Sequence, residues 1–154
     1  MKKNILALVP ALIVAASTLW MAPSFAQSTA APMMVNDSLY QSFGGKPGLV
    51  KLMDDFMIRL LADPRTGPHF KPVNQQHVKE QLVDQFCMLT GGPCEYKGVD
   101  MKNTHANLDI TKSDFNALVE VLQLSMDAQG IAFSEQNKLL AKLAPMHRDV
   151  ITVK

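Results

Sequence analysis

Residues 90–109 read TGGPCEYKGVDMKNTHANLD. Gly91-Gly92 stops the apolar-periodic run before it, because glycine is the common residue at a helix end. A loop follows, and then a brief helix carrying His105. Met101 stands four residues before this histidine and Leu108 three after it. Helical spacing puts the three on one face. An imidazole on an otherwise apolar face has two explanations. It is a core histidine with a hydrogen-bonded partner, or it ligates a metal or a haem iron. Taken alone, the segment leaves the first explanation ahead.

Upstream of the glycine pair, residues 75–90 read as a helix with Val78, Leu82, Gln85, Phe86 and Leu89 on its inner stripe. His77 and Gln81 lie on the edge of that stripe. Pro47 suits the first turn of an earlier helix that runs to Ala62. Leu49, Met53, Phe56, Met57, Leu60 and Leu61 recur there at helical spacing, with Asp54, Asp55 and Arg59 on the other face. Asp63-Pro64 breaks it. The link from Asp63 to Asn74 holds Pro64, Gly67 and Pro72, and its one large aromatic, Phe70, is expected to tuck inward. Before all of this, Asp37 or Ser38 caps a short helix through Phe43 that Gly44-Gly45 ends.

Downstream, Thr111 or Ser113 starts a long helix, and Thr111-x-x-Asp114 has the form of a capping box. Phe115, Leu118, Val119, Leu122 and Met126 make its stripe, and Gly130 ends it. Ser134 is expected to cap the last helix, with Leu139, Leu140, Leu143, Met146 and Val150 facing in. Pro145 predicts a kink. His147 reads as exposed, with no role. No segment alternates with a two-residue period and no repeat occurs, so the chain reads as all-α. The inner faces are rich in Met, Leu and Phe, which is more often adaptable core than a cofactor box.

The N-terminus has a different character. Met1-Lys2-Lys3 is basic, residues 5–21 are mainly apolar, and Ser24 and Ala26 are small residues at a small-x-small site. This is the pattern of a signal peptide over residues 1–26, cleaved after Ala26 and leaving no membrane anchor. Residues 27–36 are small and polar, a flexible lead-in, and one domain is expected over residues 37–154. The chain is expected to be periplasmic or secreted. Without Lys2 and Lys3, 13 basic residues face 14 acidic ones, a balance of −1. That balance gives no support for binding nucleic acid or an acidic membrane. Both cysteines, Cys87 and Cys94, lie in the exported part, and an oxidising compartment favours a disulfide between them. No C-x-x-C-H occurs, so covalent c-type haem attachment has no support.

Several phrases now line up in order: Gly44-Gly45, LADPRTGPHF ending at Phe70, TGGPCEYKGVDM, His105, LDITKSDF and LAPMHRDV. Together they resemble the truncated haemoglobins, most closely the first group, over residues 38–150. The resemblance implies a two-over-two helical sandwich around a non-covalent haem b. It places His105 at the proximal ligand and Phe70 at the phenylalanine that packs flat on the haem. Tyr96 and Met101 fall at positions flanking the proximal segment, and Phe86 faces the cofactor from the distal helix. The glycine pairs match the sharp corners of the shortened fold.

The distal side departs from the family. A tyrosine usually stands 13 residues before the phenylalanine, and that position here is Met57. A thioether cannot donate the hydrogen bond that a hydroxyl would. Positions that often hold glutamine or another polar residue are Val78 and Leu82. Gln81 matches a position where some members carry an iron-ligating histidine or lysine, and it could donate a hydrogen bond. Met57, His77 and Gln81 are thus the candidate distal ligands.

The resemblance implies a monomeric protein that binds oxygen, carbon monoxide or nitric oxide. A second class is redox work at the haem: electron transfer through six-coordinate iron, nitric oxide dioxygenation or peroxide turnover. These need an electron donor that the sequence does not name. A third class is a helical interaction module without haem. A zinc site from His77, Cys87, Cys94 and His105 matches no standard spacing.

Overall fold

The computed structural model describes residues 37–153, and every regular element among them is helical. The leader and the lead-in lie outside the described residues. Helix α1 spans Ser38–Ser42, α2 Gly45–Ala62, α3 Gly67–Phe70 and α4 Gln75–Thr90. Then come α5 Met101–His105, α6 Lys112–Ala128 and α7 Phe133–Leu143, a 3₁₀ turn over Ala144–Met146, and α8 His147–Val150. α2 packs mainly on α4 and on α6, while α7 reaches both α4 and α6. The core lies where these four helices meet.

The core is built around α2. Leu49, Leu52, Met53, Phe56 and Leu60 are almost wholly buried. Val83, Phe86 and Cys87 of α4 meet them, as do Val121, Leu122 and Met126 of α6 and Leu139 of α7. Each such side chain contributes about 1.5–3 kcal/mol by leaving water. Lys46–Asp84 at 3.0 Å and Lys79–Asp54 at 2.6 Å lace α2 to α4 on the outside. Those pairs are exposed and add little.

The corners carry the local chemistry. Gly44, at φ +77°, turns the chain from α1 into α2 in a left-handed conformation. The expected capping box is present at α6: Asp114 N donates to Thr111 Oγ1, and Thr111 N donates to Asp114 Oδ2. The Asp114 carboxyl is held below its usual range, first by the Thr111 hydroxyl and then by the Thr111 amide. Pro145 breaks the last helix into α7, the 3₁₀ turn and α8.

Four expectations need correction. The Asp63–Asn74 link contains helix α3, because Pro68 suits a helical first turn and the Thr66 hydroxyl donates to Leu60 O at 2.8 Å to fix the corner. Ser134 is not the cap of α7; Ala132 holds that position, and the Ser134 hydroxyl donates to Glu135 Oε1 instead. His147 is half-buried, with its ring edge-on to Phe115 at 6.1 Å. The face shared by Met101, His105 and Leu108 ends at His105. Ala106 leaves helical backbone, Asn107 and Asp109 take positive φ, and Leu108 is 47% exposed.

Gly48 gives a test of the first corner. Glycine in a helix interior usually costs about 0.5–1 kcal/mol relative to alanine. Here a Cβ would run into the Phe43 carbonyl. Gly48→Ala is expected to destabilise by about 1–3 kcal/mol, read as a lower denaturant midpoint with unchanged slope.

Candidate functional site

A cavity of about 460 Å³ opens between α4, α5, α6 and α8. That is a volume suited to a cofactor or small ligand. Val78, Gln81, Leu82, Gln85 and Phe86 of α4 form one wall. Phe115, Leu118, Val119 and Leu122 of α6 form another, joined by Leu143, Met146 and Val150 from the C-terminal segment. Phe56 of α2 and Phe70 of α3 close the interior end. Residues 96–99 and then Met101, Thr104 and His105 of α5 complete the enclosure. Most of these side chains are aliphatic, aromatic or thioether.

α4 and α6 each serve two surfaces. On α4, Val83 and Cys87 turn to the core while Val78, Gln81 and Leu82 turn to the cavity. On α6, Ala117, Val121 and Ser125 are buried while Phe115, Leu118 and Val119 are only partly covered. An apolar stripe this wide exceeds what one core face requires.

His105 is placed by its own helix. Its Nδ1 donates to the Met101 carbonyl at 2.7 Å, since a carbonyl only accepts. That bond fixes the tautomer and leaves Nε2 with a free lone pair. The Asp100 side chain caps α5, accepting from Asn103 N at 2.9 Å and from Asn103 Nδ2 at 2.6 Å. Its carboxyl is held below the usual range, chiefly by that backbone amide. Opposite, Gln85 is buried and donates from Nε2 to Met101 Sδ and Met146 Sδ, each at 3.6 Å. Tyr96 donates to Val99 O at 2.9 Å, and burial, then Asp100, pushes its phenol up. Phe70 is held at the end of α3 by Gln75 Nε2, which donates to its carbonyl at 3.2 Å.

Of the residues singled out in the sequence, His105, Phe70, Val78, Gln81, Leu82, Phe86, Tyr96, Met101 and His77 all line this cavity. Met57 does not. It is 4% exposed and buried, and α2 presents Phe56 to the cavity instead. Adjacent residues sit about 100° apart round a helix, so the two cannot share one direction. Cys87 and Cys94 are joined as a disulfide with Cα atoms 5.7 Å apart, which removes them from any zinc site. Among the described residues no cluster of His, Cys, Asp or Glu could hold a metal ion. Gln85, Thr104 and Met146 are cavity residues to which the sequence reading gave no such role. The signal for Gln85 was the extra width of the α4 stripe and for Met146 the apolar run past Pro145; Thr104, a polar residue of α5, gave none.

A sequence profile described as bacterial-like globin matches residues 38–152. The chain belongs to this family, as a group 1 truncated haemoglobin. It is 29% identical over 115 residues to the group 1 truncated hemoglobin of Mycolicibacterium paratuberculosis, covering 75% of this chain and 85% of that one. It is 30% identical over 100 residues to that of Tetrahymena thermophila, covering 65% and 83%. The solved Fe(III) truncated hemoglobin of Tetrahymena pyriformis superposes with a TM-score of 0.70 at 26% identity, over 73% of this chain and 97% of that one. Membership makes the chain a haem-binding globin with the two-over-two fold.

The cavity suits that cofactor. A flat macrocycle needs apolar walls on both faces and one basic nitrogen beneath the iron. The wall supplies the first, and the Nε2 of His105 is available for the second. Gln81 Oε1 is buried without a hydrogen-bond donor and lies against Gly98 in the cavity wall.

The α5 cap gives a pH test. The folded pKa of Asp100 is depressed, so its contribution is complete above the ordinary carboxylate value and fades as pH falls through the lowered one. Amide exchange in residues 101–105, corrected for intrinsic rates, is expected to rise below that point while the α2 core stays protected.

Proposed function

We propose that the chain holds haem b non-covalently, with His105 Nε2 as proximal ligand, and binds oxygen, carbon monoxide or nitric oxide on the opposite face. One observation carries this reading. His105 lines the cavity with Nδ1 committed to the Met101 carbonyl, so its other nitrogen is the one ready to bind a metal. Bound haem would supply an iron centre able to take up a gas. The chain supplies the rest. Phe70, Leu82 and Phe86 hold the macrocycle by contact and keep water out. The Met101 carbonyl holds the Nδ1 proton and so keeps the imidazole correctly turned.

The gas-binding face is expected to be poor in donors. Val78 and Leu82 stand where the family often has polar side chains, and α2 presents Phe56, which has no donor, to the cavity. A hydrogen bond to a polarised ligand is worth about 1.5–3 kcal/mol, roughly tenfold or more in affinity. Oxygen retention should therefore be weak relative to carbon monoxide, with the Gln81 amide left as a donor on the cavity wall. Leu82→Gln is expected to slow oxygen dissociation by about tenfold and to change carbon monoxide dissociation much less, both read by stopped-flow. An unchanged oxygen rate would sink the claim that the face lacks donors.

A second reading, redox work at six-coordinate iron with an external electron donor, has one observation in its favour. His77 is the other imidazole on the cavity wall. Sharp split visible bands in the reduced, ligand-free protein would select it; a single broad band selects the open site. The placement of Met57 away from the wall argues against His/Met ligation. The leader pattern and the disulfide support export to the periplasm or the medium. For the haem reading itself, His105→Ala is expected to abolish the histidine-ligated Soret spectrum that forms with added hemin. Wild-type-like spectra in that variant would refute it.

A further inference from the structure

The helix that carries His105 has no buried residue. Five residues cannot hold themselves helical in water, and this helix lacks the apolar anchor that usually compensates. Its place is set by what it is tied to. On the C-terminal side, α5 packs against α8. The chain end clips nearby: Ile110 N donates to Thr152 Oγ1, and the amides of Thr152 and Val153 donate to Ile110 O. On the N-terminal side runs a strap, residues 91–100, without regular structure.

The strap is a wall of the cavity, since residues 96–99 line it. It is fastened to the core at one covalent point. Cys94 is bonded to Cys87, which lies wholly buried on the core face of α4. Gly92 passes so tightly between Cys87 Sγ and Tyr40 that a Cβ there would lie 2.6 Å from the sulfur and 2.7 Å from the ring. Further along, Gly98 sits directly against Gln81 Oε1 and the Tyr96 ring, with no room for a Cβ. The bond shortens the free tether ahead of α5 from residues 92–100 to residues 95–100.

We propose that the Cys87–Cys94 disulfide positions the His105 helix and its strap, so that the thiol redox state of the chain sets how firmly the cofactor is retained. This rests on the reading of His105 as the proximal ligand. The switching step needs a dithiol reductant. Its thiolate attacks the Sγ of Cys94, the partly covered partner, and the Cys87 thiolate leaves and takes a proton. The second thiol of the reductant then closes on the first, releasing Cys94 as a thiol. Two electrons pass from the dithiol, which becomes a disulfide, to the protein. The freed strap peels from Gln81, opens the cavity along residues 96–99 and leaves α5 tied only from its C-terminal side.

The test compares ferric, hemin-loaded wild type with ferric, hemin-loaded Cys94→Ala, which leaves Cys87 in place in the core. The readout is first-order haem transfer to excess apomyoglobin. Loss from the variant is expected to be about tenfold faster, a part of the chain-entropy effect of a short-loop disulfide. Dithiol-treated wild type, with both thiols verified by alkylation and mass spectrometry, provides the second arm. There, amide exchange in residues 95–105 is expected to rise while α2 and α4 remain protected. Haem-loss rates within twofold of each other, with a normal Soret band in both proteins, would overturn the proposal alone. Unchanged exchange in residues 95–105 after verified reduction would also overturn it. Absence of a Soret band in both proteins would overturn the haem reading, and the proposal with it.

Discussion

The hydrogen bond from His105 Nδ1 to the Met101 carbonyl is the contact on which the site depends. It lies within one turn of a helix that buries nothing of its own. Two features follow from that weakness. The helix must be capped, which Asp100 does through the amide of Asn103. It must also be held from both sides, by the C-terminal clip at Ile110 and by the disulfide-fastened strap. The bond to Met101 then turns a loosely packed histidine into one with a defined tautomer and a free Nε2.

The larger helices divide their work between stability and site. The inner face of α2 is core, and α2 is the element on which α4 and α6 both pack. α4 and α6 each give one strip to that core and a second strip to the cavity. This division explains the buried Gln85. A buried amide whose partners are two thioethers gains little from them, because sulfur is a weak acceptor. Its place at the junction of α4, Met101 and Met146 ties three segments of the cavity wall together instead.

Much of this was legible in the sequence, for physical reasons that can be named. Gly44 and Gly91 announce left-handed corners, and Thr111-x-x-Asp114 announces a cap. The bounds of α4 follow from Asn74 and Gly91. The double use of α4 was not separable, because period 3.6 reports that a face is apolar but not what it faces. Met57 shows the same limit. Its register on α2 is apolar, yet only packing decides that Phe56 and not Met57 reaches the cavity. The end of α5 was missed because Asn107 and Asp109 turn the chain where a glycine would have given warning. α3 was missed because three prolines and a glycine in twelve residues read as loop, although Pro68 is well placed in the first turn of a helix.

The central claim is that His105 Nε2 binds the iron of haem. Resonance Raman spectroscopy of the hemin-loaded, reduced, ligand-free chain tests it most directly, with the histidines labelled with nitrogen-15. The account predicts an iron–imidazole stretching band that shifts with the label and is missing from His105→Ala supplied with free imidazole of natural abundance. A band that keeps its labelled shift in that variant, or a wild type with no label-sensitive band, would contradict it.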